Sequence, residues 1–178
     1  MIPKLVVLVG NIACGKSYVA ELLHKEYDFY CISLDGMRKM FGAGKYVYDT
    51  KLEGIIIPTE LHVLKRCLQR KLDIVIDDAR HVNAEFRRQT LELAKEYGYT
   101  TLIIELPKLS MKQCVQRRLQ NNFNMKFDKT LWESVYKKFH NMYNEVIEGE
   151  ADLYSQLKES DNFELCIEKL LNKILIEE

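Results

Sequence analysis

Short apolar runs alternate with amphipathic stretches over the first 106 residues of this chain. The apolar runs are rich in Val, Ile and Leu and lack polar alternation, which is typical of strands buried on both faces. They cover residues 5–9, 30–34, 73–77 and 101–106. Between these runs, apolar residues recur at helical spacing over residues 16–27, roughly 58–70 and roughly 84–97. This order predicts an α/β fold, with a parallel sheet flanked by helices.

The helix boundaries have their own signals. Pro58 suits the first turn of the helix over 58–70, and Gly98 suits the C-terminal cap of the helix over 84–97. After Leu106 the apolar residues recur at helical spacing, over 110–120, 129–148 and 163–176. Without repeats or proline-rich linkers, the pattern predicts one domain over 1–178, with a helical lid over roughly 110–130.

The first apolar run leads directly into a G-x-x-x-x-G-K-[ST] pattern, and a predicted helix follows it. The pattern comprises Gly10, Asn11, Ile12, Ala13, Cys14, Gly15, Lys16 and Ser17. Strand, glycine loop and helix in this order form a phosphate-binding loop, in which backbone N–H groups and the helix N-terminus face an anion. Lys16 is then expected to reach the β- and γ-phosphates of ATP, and Ser17 to hold Mg²⁺. Tyr18 and, from the lid region, Arg118 are also predicted to bind the nucleotide.

Composition narrows the class of protein. Net charge is zero, from 26 basic and 26 acidic residues, so any contact with nucleic acid is expected to be local. Five scattered cysteines without C-x-x-C spacing predict reduced thiols in a cytoplasmic protein. The chain has no run of 18 apolar residues, so no membrane span is expected. The first predicted strand begins at residue 5, which is expected to leave no room for a signal peptide.

Charged residues also follow the second and third apolar runs. Asp35 and Arg38 share a face at a helix start beside the expected crevice, where a carboxylate can accept a proton and an arginine can clamp an acceptor. Alternatively, Asp35 caps that helix and pairs with Arg38 on the surface. Asp77 and Asp78 end the third run, where a magnesium-assisting carboxylate is expected, and the sequence alone does not choose between them.

Together, these motifs resemble the polynucleotide-kinase branch of P-loop kinases, over nearly the whole chain. They are Gly-Asn-x-x-x-Gly-Lys-Ser, Ser-x-Asp-x-x-Arg and Asp-Asp-x-x-x-x-Asn-x-x-x-Arg-Arg. The resemblance implies transfer of the ATP γ-phosphate to a 5′-hydroxyl of DNA or RNA. It implies that Asp35 is the general base, that Arg38 binds the acceptor phosphate, and that Arg117 is a lid arginine. It also favours Asp78 over Asp77 beside Mg²⁺.

Two departures from the family pattern leave the acceptor open. Ala79-Arg80 stands where the family has Thr-Asn, and Asn121 stands where it has a second lid arginine. Arg118 or Lys126 is then expected to supply the missing positive charge. The alternatives to a polynucleotide kinase are a small-molecule kinase, acting on a nucleoside, nucleotide or metabolite, and an ATP-binding switch. The oligomeric state stays open.

Overall fold

The computed structural model describes residues 2–120 and 128–177, and it contains one parallel sheet of five strands in the order β2-β3-β1-β4-β5. The strands are β1 (Lys4–Val9), β2 (Tyr30–Ser33), β3 (Ile74–Asp77), β4 (Thr100–Glu105) and β5 (Leu153–Gln156). The first four match the predicted apolar runs to within a residue, which confirms the α/β prediction.

Helices cover both faces of the sheet. They are α1 (Lys16–Tyr27), α2 (Leu34–Phe41), α3 (Thr50–Gln69), α4 (Ala84–Glu96), α5 (Met111–Gln120), α6 (Lys129–Asn141) and α7 (Phe163–Glu177). One apolar core joins alternate sheet residues to α1, α5, α6 and α7, and a second joins the other residues to α3 and α4. Because successive strand side chains point to opposite faces, Val6 belongs to the first core and Val7 to the second.

The start of α3 corrects the sequence prediction. The helix begins at Thr50, eight residues before Pro58, and the carboxylate of Asp49 accepts hydrogen bonds from Lys51 N and Leu52 N at its start. Proline in a helix interior loses a hydrogen bond and crowds the carbonyl four residues earlier. Here that earlier residue is Gly54, and a Cβ added there would meet nothing within 4 Å. The two added turns bring Glu53 onto the helix.

The segment after α6 also differs from the prediction. Residues 129–148 were predicted as one helix, but α6 ends at Asn141. The chain beyond it is fixed by Arg87 of α4, whose guanidinium donates to Asn144 O, to Glu145 O and to the carboxylate of Glu150. After this segment the chain forms β5, an edge strand of the sheet. This strand was not predicted, because its residues are partly exposed and form no apolar run.

The end of α4 follows the prediction. Gly98 has a φ of +71°, and its N–H donates to Lys95 O at 2.8 Å. This is the left-handed residue that closes a helix. Among the residues that the structure describes, no helix is both long and apolar enough to cross a membrane.

Candidate active site

The glycine loop leaves the carboxyl end of β1 and enters α1, as predicted. Gly10 lies in close contact with its surroundings, since an added Cβ would stand 2.5 Å from Cys14 Sγ and 3.0 Å from Leu106 Cβ. Gly15 precedes α1 with a φ of +113°, a conformation that favours glycine. Both glycines of the pattern are therefore required by the backbone path around the phosphate position.

Lys16 is buried at the centre of this loop. Its Nζ donates hydrogen bonds to Gly10 O at 2.9 Å and to Asn11 O at 2.7 Å. Asn11 Nδ2 in turn donates to Tyr136 O of α6 at 3.1 Å. The ammonium group therefore lies among the loop carbonyls, and the loop is tied to α6.

Ser17 contacts Asp77 and not Asp78, the aspartate that the resemblance favours beside Mg²⁺. Ser17 Oγ donates to Asp77 Oδ2 at 2.7 Å, so a hydroxyl and a carboxylate stand side by side below the loop. Asp78 is buried, caps the short 3-10 turn Ala79–Val82 and forms an ion pair with Arg80. The two neighbouring aspartates therefore lie in different surroundings, and Asp77 is the one beside Ser17.

The oxygen atoms of Ser17 and Asp77 are ligands of the kind that Mg²⁺ prefers. Water and phosphate oxygens usually fill most of the other coordination positions of Mg²⁺. Among residues 2–120 and 128–177, no group of three or more His, Cys, Asp or Glu side chains is placed to hold a metal ion. A magnesium ion at this edge would therefore rest on the pair of Ser17 and Asp77 together with the nucleotide.

Asp35 lies between two arginines from different elements. Arg38 Nη1, one turn further along α2, donates to Asp35 Oδ1 at 2.6 Å, and Arg118 Nη2 of α5 donates to Asp35 Oδ2 at 2.9 Å. Burial by itself would raise the pKa of Asp35, but the charges and hydrogen bonds of Arg118 and Arg38 lower the pKa below its usual value. The carboxylate is thus ionised at neutral pH.

The alternative of a surface pair between Asp35 and Arg38 does not describe this site. Ser33 caps α2, by accepting from Gly36 N, and the side chain of Arg38 is only 12% exposed. Glu53 of α3 accepts two further hydrogen bonds, from Nε and Nη2 of Arg38. The rings of Tyr46 and Tyr48 lie 5.8 and 5.9 Å from the guanidinium carbon. Arg38 is therefore held in position from three sides.

The side chain of Arg118 packs against Trp132 of α6. Its guanidinium carbon lies 4.8 Å from the ring of Trp132, which is buried between α5 and α6. A planar guanidinium over an indole is a favourable cation–π geometry. Asn121 and Lys126, the other two lid positions discussed from the sequence, lie outside the described residues.

Arg117 and Tyr18 lie beside the phosphate loop and contact the C-terminal part of the chain. Arg117 Nη1 is 3.5 Å from Ala13 O, and its Nη2 donates to Glu159 Oε1 at 3.2 Å. Tyr18 is half exposed, and its ring lies 6.3 Å from that of Phe163 at the start of α7. The lid helix therefore contacts the phosphate loop through Arg117, and Tyr18 packs against the start of α7.

Sequence reasoning missed Glu53 and Glu60 of α3 and Glu159 beside Arg117. Glu53 was obscured by the late helix start assumed at Pro58, whereas Glu60 lies within the predicted helix and nothing local indicates its contact with Arg80. Glu159 lies 42 residues from Arg117 in a polar loop, where the sequence carries no signal of proximity.

Comparison with known proteins identifies the family. A family model described as an AAA domain matches residues 5–143, well over half of the chain. L-seryl-tRNA(Sec) kinase from Methanococcus maripaludis is 25% identical over 134 residues, which are 74% of this chain and 48% of that protein. The chain thus spans about half the length of this relative.

Two solved structures share the fold at low sequence identity. A putative kinase from Chloroflexus aurantiacus superposes with a TM-score of 0.73 at 13% identity, covering 98% of this chain and 97% of that one. The Mycobacterium tuberculosis APS kinase CysC in complex with AMPPNP and APS gives 0.62 at 14% identity, covering 99% of each. The chain belongs to the AAA domain family, and its fold is that of the P-loop kinases.

Proposed function

We propose that this protein is a kinase that transfers the γ-phosphate of ATP to a hydroxyl group, most favourably the 5′-hydroxyl end of DNA or RNA. The observation that carries the proposal is the position of Asp35 between Arg38 and Arg118. A carboxylate kept ionised beside a phosphate loop suits the acceptance of a proton from an attacking hydroxyl.

The surrounding residues divide the remaining work. The loop from Gly10 to Ser17 cradles the phosphates, and Lys16 and Arg117 neutralise charge on them. Ser17 and Asp77 hold Mg²⁺, which when bound supplies charge neutralisation between the phosphate groups. Arg38 aligns the acceptor. Arg118 provides the positive charge of the second lid arginine, whose place in the sequence is taken by Asn121. Such catalysis consists of positioning and electrostatic stabilisation.

Two features support a nucleic acid as the acceptor. Arg38 matches the acceptor-phosphate arginine of the polynucleotide kinases, and Asp35 and Glu53 hold its guanidinium in position. The relative at 25% identity is named as a kinase of L-seryl-tRNA(Sec), a hydroxyl carried on an RNA. Both point to a hydroxyl attached to a phosphate-bearing strand.

The second candidate is a small-molecule kinase on the same scaffold. It is favoured by the net charge of zero and by the likeness in fold to APS kinase. Such an enzyme would use the same loop, the same base and the same lid arginines, and would differ only in what lies against Arg38.

The test is transfer of label from γ-labelled ATP with Mg²⁺ to a panel of acceptors at equal concentration. The panel contains 5′-hydroxyl DNA and RNA oligomers, nucleosides, nucleoside monophosphates and unmodified serine. The proposal expects label on the oligomer ends. Label on small acceptors alone would replace it by the second candidate, and ATP binding without transfer to any acceptor would favour a switch.

A further inference from the structure

Arg80 follows β3 on the side of the sheet where α2 and α3 meet, and two carboxylates hold it. Its Nε donates to Asp78, and its Nη2 donates to Glu60 of α3. The ring of Phe86 lies 5.5 Å from the guanidinium carbon. Three contacts from three elements therefore fix the plane of this side chain.

One end of the Arg80 guanidinium is free to bind something else. Its Nη1 donates to none of the described residues, and this atom is not enclosed by protein. Nη1 carries two N–H bonds in the plane that suits an oxyanion. An arginine with one edge anchored and the other edge open is preorganised for binding a phosphate or carboxylate.

Arg87, seven residues later, shows what a purely structural arginine looks like in this chain. Its side chain is fully buried, and all three guanidinium nitrogens donate, to backbone carbonyls of residues 81, 82, 144 and 145 and to Glu150. Arg80 is 20% exposed and uses only two of its three nitrogens within the described part of the chain. Arg80 therefore keeps a partly exposed nitrogen without a partner among the described residues, whereas Arg87 has none.

Arg80 and Arg38 are anchored along one helix. Glu53 binds Arg38 and Glu60 binds Arg80, and these glutamates are seven residues apart on α3. Seven residues are two turns, about 10 Å along the helix axis, so both glutamates lie on the same face. The two arginines are therefore anchored on the same side of α3, two turns apart.

We propose that Arg80 is a second acceptor-binding arginine, which takes a second phosphate of the acceptor while Arg38 takes the first. The inference rests on the proposed function and adds a preference within its substrate class, for strands with at least two successive phosphates beyond the reacting hydroxyl over acceptors with one. Asp78 and Glu60 are positioning residues in this scheme, because they orient Arg80.

The carboxyl group of Glu60 has a raised pKa. Burial and the neighbouring charge of Asp78 raise this pKa to about 7, while Arg80 and Arg38 act to lower it. The charged groups around it are Asp78 after β3, Arg80 in the 3-10 turn and Arg38 in α2.

The test compares two acceptors with free 5′-hydroxyls, a nucleoside 3′-monophosphate with one phosphate and a dinucleotide 3′-phosphate with two. Steady-state kcat and KM are measured for the wild type, for Arg80→Gln and for Arg88→Gln. Arg88 is the matched control, because it is an exposed arginine on α4 that pairs only with Glu85 and Glu92 among the described residues.

The wild type is expected to prefer the two-phosphate acceptor by about tenfold in kcat/KM, mostly through KM, since charge-assisted hydrogen bonds to phosphate have that magnitude. Arg80→Gln should abolish the preference and leave the one-phosphate acceptor unchanged, while Arg88→Gln should keep both values. Activity on the one-phosphate acceptor also reports that the variant is folded.

An unchanged preference in Arg80→Gln, or an equal loss on both acceptors, would overturn the assignment. If Arg80→Gln does not fold, Arg80→Lys decides the matter, because it keeps the charge without the planar fork and should lose most of the preference. If the wild type labels neither acceptor but labels serine or an unphosphorylated nucleoside, the proposed function itself fails, and this inference fails with it.

Discussion

Arg118 Nη2 donates a hydrogen bond to Asp35 Oδ2 at 2.9 Å, although 83 residues separate the two in the chain. The contact joins the start of α2 to the helix on the lid side of the phosphate loop. Because Arg38 holds the other carboxylate oxygen, the position and the charge of Asp35 depend on two elements at once. In the proposed mechanism, the general base is complete only when α2 and α5 are both in place.

Replacing Arg118 should shift the acid side of the pH–rate profile. Arg118 and Arg38 together lower the pKa of Asp35 against the effect of burial, so Arg118→Gln should raise that pKa. A base works in its ionised form, so the acid limb of log kcat against pH should move to higher pH. Arg117→Gln is the matched control, because Arg117 contacts Ala13 O and Glu159 and should leave the limb in place. Identical profiles for Arg118→Gln and the wild type would contradict the role given to this contact.

Asp77 and Asp78 should separate in their response to magnesium. Asp77→Asn weakens the carboxylate beside Ser17, and the Mg²⁺ concentration for half-maximal activity should rise by about tenfold. Asp78→Asn should leave that concentration unchanged and lower the free energy of unfolding by about 1–3 kcal/mol, because it removes the buried partner of Arg80. The two measurements are a magnesium titration of activity and urea unfolding. The opposite pattern would restore Asp78 as the magnesium residue.

Gly10 and Gly54 offer a matched pair of glycine substitutions. Gly10→Ala brings a Cβ within 2.5 Å of Cys14 Sγ and 3.0 Å of Leu106 Cβ, so the loop must shift and ATP affinity should fall by at least about tenfold. Gly54→Ala points into open space within α3 and should stabilise the protein by about 0.5–1 kcal/mol without affecting ATP. Equilibrium binding of ATP and urea unfolding measure both effects. Unchanged ATP binding in Gly10→Ala would contradict the close contact at this loop.

The central strands were predictable because burial on both faces makes them short and continuously apolar. The phosphate loop was predictable because its glycines, Lys16 and Ser17 are consecutive in the sequence. Edge strand β5 was missed because it has no continuous apolar run. Its residues Tyr154 and Gln156 are exposed. The start of α3 was missed because Pro58 lies inside this helix and not in its first turn.

The site was predictable where its residues follow strand ends and unpredictable where it depends on contacts across the fold. Asp35 and Arg38 lie next to β2 and one turn apart, so their pairing follows from local geometry. The pairing of Arg118 with Asp35 requires the packing of α5 against α6 over Trp132, which no local pattern reveals. The choice of Asp77 over Asp78 depends on which face of the sheet each side chain takes at the very end of β3.

The most direct test of the proposed mechanism is single-turnover phosphoryl transfer from γ-labelled ATP to a 5′-hydroxyl oligonucleotide, by the wild type and by Asp35→Asn, with ATP saturating. Asparagine keeps the size of the side chain and its hydrogen bonding but cannot accept the proton. The account predicts transfer by the wild type, a loss of about 10²–10⁴-fold in the rate of the variant, and an unchanged Kd for ATP. Transfer at an undiminished rate by Asp35→Asn would contradict it.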